Sequence, residues 1–110
     1  MVETKADTKM LYRYLGKTGL RVSVLSFGNM IQVVPEGDKQ TPMTAAVKRC
    51  LEYGINFFDT AELYGFGEAE VLLGQALINL KVKREEVVIS TKLFWGPAGK
   101  KGIAEHLGFY

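Results

Sequence analysis

A chain of 110 residues with 47% hydrophobic and 24% charged side chains suits one domain with a real core. The formal net charge of +2, with lysines and arginines scattered along the chain, argues against a nucleic-acid partner. A single cysteine, Cys50, excludes an internal disulfide and fits a reducing compartment. No apolar run nears the roughly 20 residues of a membrane span. The first residues lack an apolar signal core, and Val2 does not start a myristoylation motif, so the expected location is cytoplasmic.

Residues 1–9 alternate polar and charged side chains and read as a disordered tail. Met10–Leu15 reads as a strand, Gly16–Gly19 as a turn, and Leu20–Ser23 as the returning strand of a hairpin. Val24–Phe27 is expected to be the first core strand, ended by Gly28, with a loop over 29–40. Thr41 then suits a helix N-cap and Pro42 the first helical position. Met43, Ala46, Val47, Cys50 and Leu51 form an apolar stripe of helical period, and Gly54 suits a left-handed cap.

Ile55–Phe58 follows as a short buried strand that delivers Asp59 at its end, and the loop over 59–67 carries Tyr64. A second helix is expected over 68–80, with Ala69, Leu72, Leu73, Ala76, Leu77 and Leu80 on one stripe and Glu68 and Glu70 near its positive end. After a charged connector, the β-branched run Val87–Thr91 suggests a strand buried on both faces, ending in Lys92. Beyond Trp95 the chain loses periodicity.

Strands and helices alternating at this spacing point to parallel strands with right-handed crossovers. Gly28–Asn29, Asp59–Tyr64 and Lys92 then open on one edge, the side where ligands bind in α/β folds. Unpaired charges at the ends of apolar strands are costly, and Asp59 and Lys92 compensate each other if their strands are neighbours. Tyr64 would then lie beside an ammonium.

A free tyrosine, titrating near about 10, is a poor acid at neutral pH, and a neighbouring ammonium favours its phenolate. In that constellation Tyr64 is a general acid for a carbonyl oxygen, supported by Lys92, which Asp59 orients. Hydride must then come from a nicotinamide cofactor, since no side chain supplies it. The plainer alternative is an ion pair with a surface tyrosine beside it.

Several other features carry less. Gly65–Phe66–Gly67 lacks the third glycine of a dinucleotide fingerprint, and Glu68 and Glu70 would repel a pyrophosphate. His106, the only histidine, has no ligand-spaced partners, so no metal site is expected. Cys50 is most simply a core residue, while Phe94 and Trp95 are either core caps or a pocket wall.

The stretches Tyr12–Ser23, Phe27–Gly28, Gly54–Gly65, Glu68–Gly74 and Ser90–Lys92 together resemble, in order, the N-terminal third of an aldo-keto reductase. The resemblance covers residues 10–96, and Thr91–Gly96 is most similar to the branch that contains voltage-gated potassium channel beta subunits. It implies an α/β fold: a partial TIM (β/α)8 barrel, made of an N-terminal β-hairpin closing the bottom, the first three parallel strands and two helices. Residues 10–96 would be the N-terminal part of an NADP-dependent oxidoreductase domain, and 97–110 a divergent tail.

The resemblance further implies NADPH as cofactor, and reduction of small aldehydes or ketones to alcohols. Asp59, Tyr64 and Lys92 match the family's catalytic residues. Asn29, Met30 and Asp59 fall on its cofactor contacts, Asn29 replacing the usual threonine and Asp59 facing the nicotinamide ribose. The alternative partner is the cytoplasmic part of a voltage-gated potassium channel alpha subunit, which such a protein would regulate; no membrane insertion is implied.

A complete barrel takes about 250 residues and eight strands. The family's fourth catalytic residue and its phosphate-gripping segments have no counterpart in this sequence. The isolated chain is therefore expected to be an inactive fragment that keeps the proton-donor apparatus, holds NADPH weakly and self-associates through open edges and exposed apolar surface.

Overall fold

The computed structural model describes residues 9–30 and 37–93. Phe94, Trp95, His106 and nearly all of the expected N-terminal tail lie outside the described residues.

The hairpin forms as the glycines predict. Strands β1 (Tyr12–Tyr14) and β2 (Arg21–Ser23) pair antiparallel, with Arg13 opposite Val22. Gly16 and Gly19 take φ of +57° and +77° in the turn, and Leu15 N donates to Leu20 O at 2.8 Å. Asn56 ties the hairpin to the rest: its Oδ1 accepts from Ser23 N at 2.8 Å, and its Nδ2 donates to Arg21 O at 3.0 Å. Tyr12 adds a hydroxyl bond to Gly54 O at 2.7 Å.

Three parallel strands follow: β3 (Phe27–Gly28), β4 (Phe57–Asp59) and β5 (Val88–Ser90), in the order β3-β4-β5. Helix α1 (Gln40–Glu52) crosses from β3 to β4, and α2 (Glu68–Asn79) crosses from β4 to β5. Phe58, fully buried at the centre of the sheet, packs with Met43 and Val47 of α1, Leu73, Ala76 and Leu77 of α2, and Val87. Its ring meets that of Phe27 edge-on at 6.0 Å. Since side chains alternate along a strand, Phe57 and Asp59 point away from this core.

The expected boundaries shift in four places. Helix α1 starts earlier than Thr41–Pro42 because Asp38 caps it: Oδ1 accepts from Gln40 N and Thr41 N at 3.0 Å each, and the Thr41 hydroxyl donates to Oδ2. Pro42 still lies in the first turn, where backbone N–H groups have no helical acceptor.

The expected strand over 24–27 is confined to Phe27–Gly28, because Val24 N bonds Leu11 O at 2.9 Å and Ser23 Oγ bonds Leu25 O at 2.6 Å, bending the chain there. The expected strand over 55–58 lies at 57–59, because Ile55 N is bonded back to Cys50 O and Asn56 to the hairpin. Strand β5 is half-buried rather than enclosed on both faces, since β4 is its sole neighbour among the described residues.

Both helices end in left-handed residues. Gly54, at φ +81°, lets Ile55 N reach Cys50 O at 3.0 Å, and a Cβ there would lie 2.8 Å from the Tyr12 hydroxyl oxygen. At the end of α2 the same role falls to Lys81, at φ +54°, with Val82 N bonded to Leu77 O at 3.0 Å.

Candidate active site

The parallel register aligns Gly28, Asp59 and Ser90 across the three strands. Beyond the strand ends the ladder continues, with Thr60 N bonded to Ser90 O at 2.9 Å and Glu62 N to Lys92 O at 3.3 Å. Ser90 and Lys92, two residues apart, therefore present their side chains on the face that carries Asp59.

The side chains meet there. Lys92 Nζ donates to Asp59 Oδ2 at 2.8 Å and to Thr60 O at 2.6 Å. Ser90 Oγ donates to the other carboxylate oxygen, Asp59 Oδ1, at 2.5 Å. Tyr64 opens a short 3-10 turn, Tyr64–Gly67, and its ring centroid lies 4.6 Å from Lys92 Nζ. Gly65, Phe66 and Gly67 take φ of +59°, +55° and +98°, a run of left-handed residues that turns the chain into α2. Only the glycines adopt that conformation without cost, so Phe66 carries local strain.

Asp59 and Lys92 shift each other. Burial pushes the Asp59 carboxyl up, but the hydrogen bonds from Lys92 and Ser90 outweigh it and hold the group below its ordinary value. For Lys92, hydrogen bonding to Asp59 and then to the Tyr64 phenol outweighs burial and raises the ammonium. Both side chains remain partly open to solvent, 36% for Asp59 and 42% for Lys92.

The remaining expected site residues separate. Asn29 is buried, and its Nδ2 donates to Ala69 O at 2.9 Å, tying the end of β3 to the first turn of α2. Its Oδ1 is buried without a partner among the described residues. Met30, the next residue, is exposed. Glu70 clasps the same helix turn to β5 by accepting from Thr91 Oγ1 at 2.5 Å. Glu68 is held by Lys39 at 2.6 Å, and Glu68 and Glu70 place two acids in the first turn of α2, where the helix end favours them.

Cys50 is half-buried on α1, and burial raises its thiol pKa. Among the described residues no group of three His, Cys, Asp or Glu side chains could hold a metal ion, and no described helix is long and apolar enough to cross a membrane. Reasoning from sequence did not single out Ser90, and it placed Glu70 at the start of the helix without its bond to Thr91. Ser90 left a signal, a polar residue two before Lys92 that follows three apolar ones; the Glu70–Thr91 bond left none, because the partners are distant in sequence.

The span that holds Asp59, Tyr64 and Lys92 lies within a match to a known protein family. The model of the aldo/keto reductase family matches residues 26–107. The chain belongs to that family. An aldo-keto reductase of Bacillus halodurans, solved in its holo form, superposes with a TM-score of 0.65 at 31% identity, covering 91% of this chain and 37% of that one. The fold is thus an α/β segment of the family's TIM barrel, and the described strands do not close a barrel.

Two relatives carry the name "Probable voltage-gated potassium channel subunit beta". The one from Arabidopsis thaliana is 44% identical over 97 residues, 86% of this chain. The one from Oryza sativa is 46% identical over the same share. This aldo/keto reductase chain spans 29% of the length of each.

Proposed function

We propose that the chain supplies the proton-donor half of an NADPH-dependent carbonyl reductase. The observation that carries this reading is the Lys92 ammonium, fixed by Asp59 at 2.8 Å and lying 4.6 Å from the Tyr64 ring. An ammonium held there favours the phenolate that Tyr64 leaves behind when its hydroxyl proton passes to a carbonyl oxygen. Asp59 keeps the ammonium from turning away, and the Thr60 carbonyl holds it from a second side.

The residues fit the reactive end of a nicotinamide dinucleotide. Asp59 retains acceptor capacity beyond its bonds from Ser90 and Lys92, enough for a ribose hydroxyl. Met30 and the backbone at Asn29 edge the same strand ends, whereas the Asn29 side chain is engaged by α2. The described residues offer no cluster for the phosphates, so a longer stretch of barrel would hold those. When bound, the cofactor supplies hydride to the carbonyl carbon, and the product is an alcohol.

A second reading follows from the names of the relatives, which are 44% and 46% identical. In it the same barrel serves as a regulatory partner of a voltage-gated potassium channel alpha subunit. Titration of NADPH fluorescence with the chain, alongside carbonyl turnover, tests the first reading. In a protein with the completed barrel, Tyr64→Phe is expected to lower turnover by about 10²–10⁴-fold while sparing NADPH binding. Equal loss of NADPH binding would remove the proton-donor role from Tyr64. The second reading predicts no dependence of channel association on the Tyr64 hydroxyl.

A further inference from the structure

The Asp59 carboxylate sits at a strand end with 36% of its side chain open to water. An ion pair that exposed does not hold one geometry by itself, because both side chains gain entropy by separating. Yet a proton-donor site needs the ammonium in one place. Thr60 O constrains Lys92 Nζ from the backbone, but nothing in that contact constrains Asp59.

The constraint on Asp59 comes from β5. Ser90 is the registered partner of Asp59 across the parallel pair, so its side chain emerges beside the carboxylate on the same face. Its hydroxyl meets Oδ1 at 2.5 Å, a charge-assisted bond, and leaves Oδ2 to Lys92. One oxygen is thereby pinned and the other directed. We infer that Ser90 is a positioning residue: it turns the Asp59 carboxylate toward Lys92, and through Lys92 sets the ammonium beside Tyr64.

This inference rests on the reductase reading for its consequence in turnover, but not for its geometry. Among the described residues, the charged and titratable groups at the carboxylate and its ammonium partner are Lys92 from the end of β5 and Tyr64 from the loop before α2. Glu70 of α2 stands one step further out, bonded to Thr91. Losing the Ser90 hydroxyl therefore leaves Asp59 with Lys92 as its side-chain partner among the described residues, and its titration moves to higher pH.

The test follows the Asp59 side-chain carboxyl carbon by NMR through a pH titration of the full 110-residue chain. Wild type is compared with Ser90→Ala, Ser90→Val and Ser90→Thr, with turnover of an aldehyde and NADPH measured in parallel. Val and Thr have nearly the same shape, so their difference isolates the hydroxyl.

The expected result is an upward shift of the Asp59 titration in the Ala and Val variants, and its restoration in Thr. An Asp59 titration unmoved in folded Ala or Val variants overturns the inference. Loss of the fold in Thr as well as in Ala and Val assigns Ser90 to packing and overturns it too. A shifted titration without any carbonyl turnover in wild type upholds Ser90 and shows that this chain does not reduce carbonyls unaided. Turnover with an unmoved Asp59 does the reverse.

Discussion

At the C-terminal ends of β4 and β5 the side chains are polar, partly exposed, and individually held: Asp59 by Ser90 and Lys92, Lys92 also by Thr60 O. At the opposite end of the same strands, Leu11 and Leu25 are 62% and 60% exposed beside a cavity of about 520 Å³ that Met10, Cys50 and Ile55 also line. The first end has its partners inside this chain. The second presents apolar surface that is exposed among the described residues, and surface of that kind is normally covered by more protein. Ion pairs need one or two directed contacts, which neighbouring strands supply locally. Apolar surface needs area, which a chain spanning 37% of the Bacillus halodurans structure does not provide.

The core that joins the two ends is the place to break the comparison most severely. Phe58 is fully buried between the sheet and both helices, one residue before Asp59. Phe58→Ala is expected to cost about 3–5 kcal/mol, through lost burial and the cavity left behind. Urea unfolding of the whole chain measures it. A loss below about 1 kcal/mol would show that the helices and sheet do not share one core.

A smaller effect distinguishes the polar end by its pH dependence. Asp59 titrates below its ordinary value in the folded chain, so its stabilisation is present above the unfolded carboxylate pKa and is lost as pH falls through the folded one. Asp38, lowered by its bonds with Thr41 and Gln40, adds to the same acid limb. Lys92 is raised, so its contribution is complete below the unfolded lysine pKa and is lost as pH rises through the folded one. Stability is therefore flat through neutral pH and falls at both extremes. Asp59→Asn should remove the Asp59 part of the acid limb and shrink the Lys92 part of the alkaline one, leaving the share that Tyr64 supports. At neutral pH the loss is about 0.2–1 kcal/mol, as befits a pair this exposed. An unchanged alkaline limb in Asp59→Asn would mean that Lys92 is not stabilised by Asp59.

The polar end was also the more legible in sequence. Asp59 and Lys92 stand at the ends of short apolar runs, where an unpaired charge would be expensive, and that cost alone brought them together. Tyr64 followed from its place on the loop between. The helical stripes found the buried face of both helices, and Gly54 marked a helix end that the structure places at φ +81°.

What stayed hidden shares one cause. Asp38 displaced Thr41 as the cap, Ser23 bent the chain ahead of β3, Asn56 fastened the hairpin, and Ser90 pinned the carboxylate. Each is a short polar side chain whose partner is chosen by local geometry or by strand register. Periodicity does not record such choices. The exposure of Val24 and Leu25 was missed for a related reason: an apolar run reads as a core strand whether or not the chain supplies what would cover it.

The apolar end gives the smallest effect on stability and the sharpest contrast in behaviour. Leu25→Ser removes an exposed side chain that contributes little to this chain's own core, so its unfolding free energy should stay within about 0.5 kcal/mol of wild type. Its effect belongs to association instead. If Leu11 and Leu25 are the surface through which copies of the chain meet, sedimentation velocity should show the Ser variant less associated at equal concentration. The outer edges of β3 and β5, which pair with no other strand among the described residues, offer a competing route, because unpaired backbone groups recruit other strands regardless of nearby side chains. Association that persists unchanged in Leu25→Ser would assign it to those edges. Association that falls, with stability unmoved, would locate it at the uncovered end and leave the Asp59–Lys92 end free for chemistry.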